Sequence, residues 1–97
     1  MNDLHIVAVL YAKPGQEAQL RKDLAALAAP SQEEEGNLRY EVHVDNQDPR
    51  RFVFIEHWAD AALRAKHHTQ GEHILRFHAN GARNIERAEV FELSRIA

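Results

Sequence analysis

A strictly alternating segment, Leu38 to Val44, is the feature that most constrains the fold of this chain. Its apolar and polar residues fall on opposite faces, which is typical of a half-buried strand. A polar turn over residues 45–50 follows, and Phe52 to Trp58 then returns as a second, aromatic-rich run. Two such runs joined by a short turn predict an antiparallel hairpin with one buried face.

The register of this hairpin follows from the same alternation. If the apolar residues of both arms share a face, the numbers of paired residues sum to an even value, and a turn centred near residue 48 sets that sum near 96. We therefore expect Tyr40 opposite Glu56 and Val42 opposite Phe54. The same register assigns Leu38 and Trp58 to facing positions on the helix side, and Val53, Ile55 and His57 to the outer side.

The segments before the hairpin predict a strand followed by a helix. Leu4 to Tyr11 is a short apolar run that ends at Lys13-Pro14-Gly15, which suits a strand and a turn. From Gln16 to Ala29, leucines recur at spacings of four and three, as on one face of a helix. Pro30 is expected to end this helix, and a charged loop, Glu33-Glu34-Glu35-Gly36, then leads into the hairpin.

The segments after the hairpin predict a second helix and a last strand. Asp60 can cap the helix, and Asn80-Gly81 can close it. Gly71 lies midway and can break or bend it. Arg87 to Ile96 contains the apolar residues of a final strand. The stripe that the helix turns toward the sheet is expected to be Leu63, His67, Gln70, Ile74 and Phe77.

The order of these elements predicts an α+β fold, a ferredoxin-like βαββαβ domain with a four-stranded antiparallel sheet that occupies residues 1–97. Both helices then cover one face of the sheet and leave the apolar side chains of Val53 and Ile55 on the other. This bare apolar face predicts a homodimer through the sheet face. The alternative is a monomer with a solvated outer face, which Arg39, Glu41 and His43 favour.

The composition excludes several classes of function. The formal net charge is −3 and no concentrated Lys/Arg face is visible, which argues against nucleic acid. The chain has no cysteine, and therefore no disulfide, thiolate nucleophile or cysteine metal site. No apolar run approaches the roughly 20 residues that span a bilayer, and the start does not resemble a signal peptide. We therefore expect a cytoplasmic protein without membrane contact.

Three side chains suited to proton transfer at neutral pH are expected to converge on one pocket. Glu56 and Trp58 share the helix side of the hairpin, and His67 lies one turn after Leu63 on the second helix. Taken singly, a paired carboxylate, a packed indole and a satisfied core histidine are the simpler interpretations. Their convergence favours a site, so we predict Glu56, Trp58 and His67 as catalytic residues. The predicted substrate-binding residues are Tyr40, Phe54, Leu63, Ile74 and Phe77.

A metal site is not expected from the spacing of the histidines. His68, His73 and His78 are five residues apart, which places neighbours roughly 140° apart around a helix. No two histidines lie four apart on one helix, and a His-Glu-x-x-His arrangement is missing.

An ordered set of short motifs carries a family resemblance. Lys13-Pro14-Gly15 follows the first strand, Glu35-Gly36 precedes Tyr40, and Glu56-x-Trp58 is followed by His67 eleven residues after the glutamate. The set resembles the antibiotic biosynthesis monooxygenase family of the dimeric α+β barrel superfamily, including its quinol monooxygenase-like members.

The resemblance implies a homodimer with one pocket per subunit and a monooxygenase that oxidises quinol or phenolic aromatics with dioxygen, without metal or flavin. It implies that His67 is a base or hydrogen-bond partner, that Trp58 is a pocket wall and N–H donor, and that Glu56 and Tyr40 orient them. An isomerase or lyase that acts by proton transfer on a small metabolite is an alternative, as is a non-catalytic small-molecule or haem-binding stress protein.

Two departures from the family pattern narrow these expectations. Relatives often carry a second histidine about five residues after the first, where this chain has Glu72, so His73 is not predicted as a site residue. Haem-degrading relatives carry an asparagine on the first strand, and Leu4 to Tyr11 contains none. Haem is therefore a disfavoured cofactor.

Overall fold

The computed structural model describes residues 3–97 as one four-stranded antiparallel sheet with helices on one face. The strand order is β2-β3-β1-β4, which is the ferredoxin-like order, so the predicted α+β fold class is confirmed. No helix among these residues is long and apolar enough to cross a membrane. The strands are β1 (Leu4–Ala12), β2 (Asn37–Asp45), β3 (Asp48–Trp58) and β4 (Ile85–Leu93), and the helices are α1 (Glu17–Ala25), α2 (Ala28–Gln32), α3 (Ala61–Gln70) and α4 (Glu72–Asn80), with a 3₁₀ turn at Ala82–Asn84.

The hairpin of β2 and β3 has the predicted even register over most of its length. Tyr40 pairs with Glu56 and Val42 with Phe54, as expected. The prediction for Leu38 is wrong, because the register shifts between Asn37 and Arg39 and leaves Leu38 without a partner. This irregularity turns the Leu38 side chain outward to 58% exposure.

The first predicted helix is two helices in the structure. α1 ends at Ala25, and α2 begins at Ala28 and contains Pro30, so the prediction that Pro30 ends the helix is wrong. Pro30 is the third residue of α2. At that position a backbone N–H has no partner inside the helix, so proline removes no hydrogen bond there.

The second predicted helix is also divided, here by Gly71. Asp60 caps α3 as expected, since its Oδ1 accepts the Leu63 backbone N–H at 2.8 Å. Gly71 is extended (φ −63°, ψ 120°), so α3 ends at Gln70 and α4 starts in a new direction. Gln70 is consequently exposed rather than part of the stripe that faces the sheet. The last strand also begins two residues earlier than predicted, at Ile85, and ends at Leu93.

The two faces of the sheet differ in burial. Ile6, Leu10, Phe52 and Trp58 lie on the helix side and are buried with the leucines of α1. The other face carries half-buried valines and isoleucine from the two central strands, together with Phe91 and Leu93 of β4, which are 44% and 43% exposed. The apolar side chains of this outer face are Val7, Val9, Val53, Ile55, Phe91 and Leu93, and polar residues such as His5, His43 and Glu89 lie beside them in the register.

Candidate functional site

A cavity of about 270 Å³ lies between the sheet and helices α3 and α4. Its walls are mainly apolar, and its polar groups come from β2, β3 and the helices. This combination of an apolar space with a few converging polar groups is typical of a small-molecule site. The lining residues are Ala8, Leu10, Leu24, Leu27, Tyr40, Phe54, Glu56, Arg64, His67, His68, Ile74, Phe77, His78, Ala82, Ile85, Ala88 and Val90.

His67 is the histidine that α3 places against the sheet. Its residue surface is 3% exposed, although the ring forms part of the cavity wall. The ring packs against the indole of Trp58, with centroids 4.8 Å apart, and against the phenol of Tyr40, at 5.5 Å. These aromatic neighbours hold the imidazole in one orientation, as a base that acts on a bound ligand requires.

Glu34 is the partner of this histidine, and it comes from the loop before β2. The Glu34 carboxylate Oε1 pairs with His67 Nδ1 and lies 3.2 Å from His73 Nε2. His73 Nε2 is also 2.9 Å from the hydroxyl of the fully buried Ser31. One carboxylate thus joins two imidazoles from two different helices. We refer to Glu34, His67, His73 and Ser31 as the polar cluster.

The loop that carries Glu34 is fixed to the start of α3. The Gly36 carbonyl accepts the Ala59 N–H at 2.7 Å, directly after β3. Gly36 has a φ of +83°, and a Cβ on it would lie 2.9 Å from the Cβ of Leu63. Only glycine therefore allows this close approach. The contact explains how an acidic loop reaches a buried histidine on a helix that lies later in the chain.

The pairing with Glu34 determines what His67 can do chemically. An ionised carboxylate only accepts hydrogen bonds, so His67 Nδ1 carries the proton that is shared with Glu34. In the neutral ring the other nitrogen, Nε2, is then an acceptor. This is the arrangement of a general base whose tautomer is set by a carboxylate.

Glu56 and Trp58 form a separate buried pair beside the cavity. The Trp58 Nε1–H donates to Glu56 Oε1 at 2.9 Å, and Trp58 is 0% exposed. Glu56 lines the cavity, whereas Trp58 lies behind the wall. Trp58 was predicted as a pocket wall and N–H donor with Glu56 as an orienting partner, and its N–H donates to Glu56.

Tyr40 contributes a neutral phenol to the cavity wall. Burial raises the pKa of Tyr40 well above its usual range, and the charge of the nearby Glu56 carboxylate acts in the same direction. The ring contacts Phe54 edge-on, with centroids 5.7 Å apart. The Tyr40 hydroxyl therefore keeps its proton, so it can donate a hydrogen bond and is not a base.

The polar cluster also contains the donor set of a divalent-metal site. One atom each from Glu34, His67 and His73 lie within 4.8 Å of one another. Two imidazoles and a carboxylate are a common set of zinc ligands. Helical spacing predicted only that His68, His73 and His78 lie on different faces of a helix. It did not anticipate that His73 lies beside His67, because Gly71 breaks the helix between these two residues. The Glu34 carboxylate already contacts both imidazoles, through a hydrogen bond with His67 and at 3.2 Å from His73.

The structure brings most of the predicted site residues to one cavity. The predicted lining residues Tyr40, Phe54, Ile74 and Phe77 line it, as do Glu56 and His67, whereas Leu63 packs on Gly36 and Trp58 is fully buried. Sequence reasoning missed the residues of the polar cluster that belong to other elements, and part of the cavity wall. The missed residues are Ser31, Glu34 and His73 of the polar cluster, and Ala8, Leu10, Leu27, Arg64, His68, His78, Ala82, Ile85, Ala88 and Val90 of the cavity wall.

The sequence contained a signal for Glu34 and for Arg64. The hairpin register places the residues before β2 beside those after β3, so Glu34 had to lie near the start of α3. Arg64 lies three residues before His67 on the same helix, and residues at that spacing share a face.

The comparisons with known proteins bear on the family and the fold of this chain. The sequence profile of the family described as antibiotic biosynthesis monooxygenase matches residues 3–80. A comparison with curated proteins gives no match. The crystal structure of PA3566 from Pseudomonas aeruginosa is similar over 100% of this chain and 97% of its own, with 36% identity and a TM-score of 0.92.

Two further crystal structures have the same fold. Protein SO0527 from Shewanella oneidensis has 26% identity and a TM-score of 0.89, over 97% of this chain and 91% of its own. A structure described as an antibiotic biosynthesis monooxygenase has 26% identity and a TM-score of 0.88, over 97% of this chain and 99% of its own. Since the family profile covers most of the sequence, the chain belongs to the antibiotic biosynthesis monooxygenase family.

Proposed function

We propose that this protein is a cofactor-independent monooxygenase that oxidises quinols or electron-rich phenols with dioxygen. The observation that carries the proposal is the pairing of Glu34 with His67 Nδ1, which leaves Nε2 as an acceptor in the wall of an apolar, aromatic-lined cavity. A base oriented in this way is what deprotonation of a phenol requires. The family to which the chain belongs supports the same reaction class.

In the proposed reaction, the residues of the chain accept the proton of the substrate hydroxyl. The ligand ring would lie among Phe54, Ile74 and Phe77, with one hydroxyl directed to His67 Nε2. As the proton moves to Nε2, the imidazole becomes a cation, and the Glu34 carboxylate on Nδ1 stabilises that charge. The Tyr40 phenol can donate a hydrogen bond to the developing ligand oxyanion.

The electrons come from the substrate itself. The phenolate reduces dioxygen, and a C–O bond forms at the ring carbon next to the oxygen-bearing carbon. For a hydroquinone, loss of water then gives the hydroxyquinone, so one hydroquinone and one dioxygen yield one hydroxyquinone and one water. The substrate supplies all four electrons, and the balance needs no separate reductant.

We also propose that the working form is a homodimer that stacks through the outer face. The support is the row of apolar side chains there, in which Val7 pairs with both Ile55 and Phe91. A contiguous apolar surface of this kind favours a partner of the same shape, and a two-fold dimer lets one face bind its own copy.

Oxygen consumption by the full chain with a panel of hydroquinones and dihydroxynaphthalenes tests the proposed function. We expect turnover without added metal or flavin, and a rate about 10²- to 10⁴-fold lower in His67→Asn, which is the range for loss of a general base. His43→Asn is the matched control, because His43 is an exposed histidine of β2 that does not line the cavity.

The same assay separates the alternatives. An isomerase or lyase would convert its substrate equally well without oxygen, since proton transfer alone consumes none. A binding protein would retain the ligand without converting it. Turnover that is equal in the wild-type protein and His67→Asn would refute the assignment of the base.

A further inference from the structure

Arg64 is the one arginine in the wall of the cavity among residues 3–97. Its Nε atom is buried and has no hydrogen-bond partner in the described part of the chain. None of the ion pairs between residues 3 and 97 includes Arg64. A buried guanidinium nitrogen without a partner is costly, and residues 3–97 give this one no hydrogen-bond acceptor.

The acidic residue of the cavity wall, Glu56, does not pair with Arg64. Glu56 is the one acidic residue among the cavity-lining residues, and its Oε1 accepts the Trp58 N–H. Some surface arginines are paired, as Arg39 is with Glu41, and others, such as Arg76 and Arg83, form no ion pair between residues 3 and 97. Burial distinguishes Arg64, because its Nε is the one buried side-chain nitrogen or oxygen without a hydrogen-bond partner among the described residues.

The position of Arg64 relative to His67 limits the shape of a ligand. The two residues are three apart on α3, which places their Cβ atoms roughly 5–6 Å apart on one face. Two groups on neighbouring carbons of an aromatic ring can reach both side chains at once. Guanidinium groups bind carboxylates through two parallel hydrogen bonds, so a carboxylate fits Arg64 and a hydroxyl fits His67.

We propose that Arg64 forms an anion subsite in this cavity, and that the preferred ligands are aromatic acids with a hydroxyl next to the carboxylate. The carboxylate binds Arg64, and the adjacent hydroxyl is directed to His67. The assignment of the hydroxyl to His67 rests on the proposed function. The preference for a carboxylate rests on Arg64 alone.

Calorimetric titration of the full chain with three naphthalene ligands tests the subsite. We expect 1-hydroxy-2-naphthoate to bind at least about tenfold more tightly than 1-naphthol, which lacks the carboxylate, the scale of one charge-assisted contact. It should also bind more tightly than 6-hydroxy-2-naphthoate, in which the two groups are far apart. These ligands need not turn over, so binding is measured independently of oxygenation.

Variants of α3 assign the preference to Arg64. Arg64→Gln should weaken binding of 1-hydroxy-2-naphthoate about tenfold or more and change binding of 1-naphthol by less than about threefold. Arg64→Lys keeps the charge without the two-pronged geometry and should lose only part of the preference. Lys66→Gln, which removes an exposed charge from the same helix, should change neither affinity.

The experiments distinguish failure of the Arg64 subsite from failure of the proposed function. Equal affinity for the acid and the naphthol in the wild-type protein, or an Arg64→Gln variant that weakens both equally, would overturn the subsite. A carboxylate preference without oxygen consumption for any quinol would refute the proposed function and leave the subsite standing.

Discussion

At the scale of single residues, Glu34 distinguishes this pocket from an ordinary apolar cavity. A histidine at the cavity wall has two tautomers, and only a fixed partner on Nδ1 keeps Nε2 free to accept a proton. Glu34 provides that partner from a separate element, and His73, which is hydrogen-bonded to Ser31, lies 3.2 Å from the same carboxylate. The contacts of the polar cluster therefore distinguish His67 from His73, a difference that the sequence does not show.

The Glu34→Gln substitution tests this role directly. A glutamine amide can donate to His67 Nδ1, which would move the ring proton to Nε2 and leave no acceptor toward the ligand. We expect kcat to fall about 10²-fold or more with little change in KM, as measured by oxygen consumption. Glu35→Gln is the control, because Glu35 is the exposed neighbour in the same loop. A variant that retains more than half of the wild-type rate would contradict the role of Glu34.

At the scale of elements, the connection between the loop before β2 and the start of α3 holds the site together. β3 ends at Trp58, the Ala59 N–H binds Gly36, and α3 begins at Ala61 under the Asp60 cap. The break at Gly71 then redirects the chain so that α4 brings His73 back to the polar cluster. Gly36, Gly71 and Asp60 thereby position the residues of the polar cluster without belonging to it.

A matched pair of glycine substitutions measures how tightly this connection is packed. Gly15 and Gly36 have nearly the same positive φ, +82° and +83°, so alanine costs a similar amount of backbone strain at both. A Cβ at Gly15 meets nothing within 4 Å, whereas at Gly36 it meets Leu63. We expect Gly36→Ala to lower the free energy of unfolding by about 1–3 kcal/mol more than Gly15→Ala does in urea denaturation.

The matched pair also connects packing to activity. Gly36→Ala should reduce turnover as well as stability, because it displaces the loop that carries Glu34. Equal loss of stability at both positions would show that the contact with Leu63 relaxes and does not constrain the loop.

At the scale of the whole molecule, the two faces of the sheet have different proposed roles. The helix side encloses the cavity, and the outer face carries the apolar row proposed as the dimer contact. The mass of one chain is 11.1 kDa, so sedimentation at micromolar concentration should give about twice that value. A species with the mass of a single chain would refute the dimer.

Introduction of a charge on the outer face provides a sharper test of the dimer. Ile55→Glu would bury a carboxylate between two stacked sheets, so we expect this variant to sediment as a monomer. Leu75→Glu is the control, because Leu75 is a 49% exposed apolar residue on α4, on the helix side. A dimer that persists in Ile55→Glu would place the contact elsewhere.

Acid stability is also a property of the whole molecule. Burial lowers the pKa of both His68 and His73, so near and below about pH 6.5 the unfolded chain binds more protons at these two positions than the folded one does. Their contribution to stability is therefore complete above that pH and is lost as the pH falls toward their folded-state values.

The expected result is a decrease in the free energy of unfolding between pH 7.5 and pH 5, measured by urea denaturation at each pH. A His68→Asn, His73→Asn double variant should show a smaller decrease. Gln70→Ala, which changes an exposed, uncharged residue on α3, should show the same decrease as the wild-type protein. An unchanged pH dependence in the double variant would contradict the assignment.

Much of the architecture was predictable because it depends on local periodicity. The alternation in β2 and β3 determines their register, so Tyr40 and Glu56 pair as expected. The exception is Leu38, where an irregularity at the sheet edge costs little and has no periodic signature. Pro30 shows the same limit, since the position at which a helix ends depends on what the next segment must contact, whereas the break at Gly71 was predicted from the sequence.

The sequence by itself determined the fold class, the hairpin register and the inward position of Glu56, Trp58 and His67, because alternation and helical spacing decide which side of an element is buried. The tertiary structure alone decided their partners. It placed Glu34 on His67, directed the Trp58 N–H to Glu56 and left the Arg64 Nε without a partner. These contacts join residues far apart in the chain, and no local periodicity encodes a distance between two side chains in space.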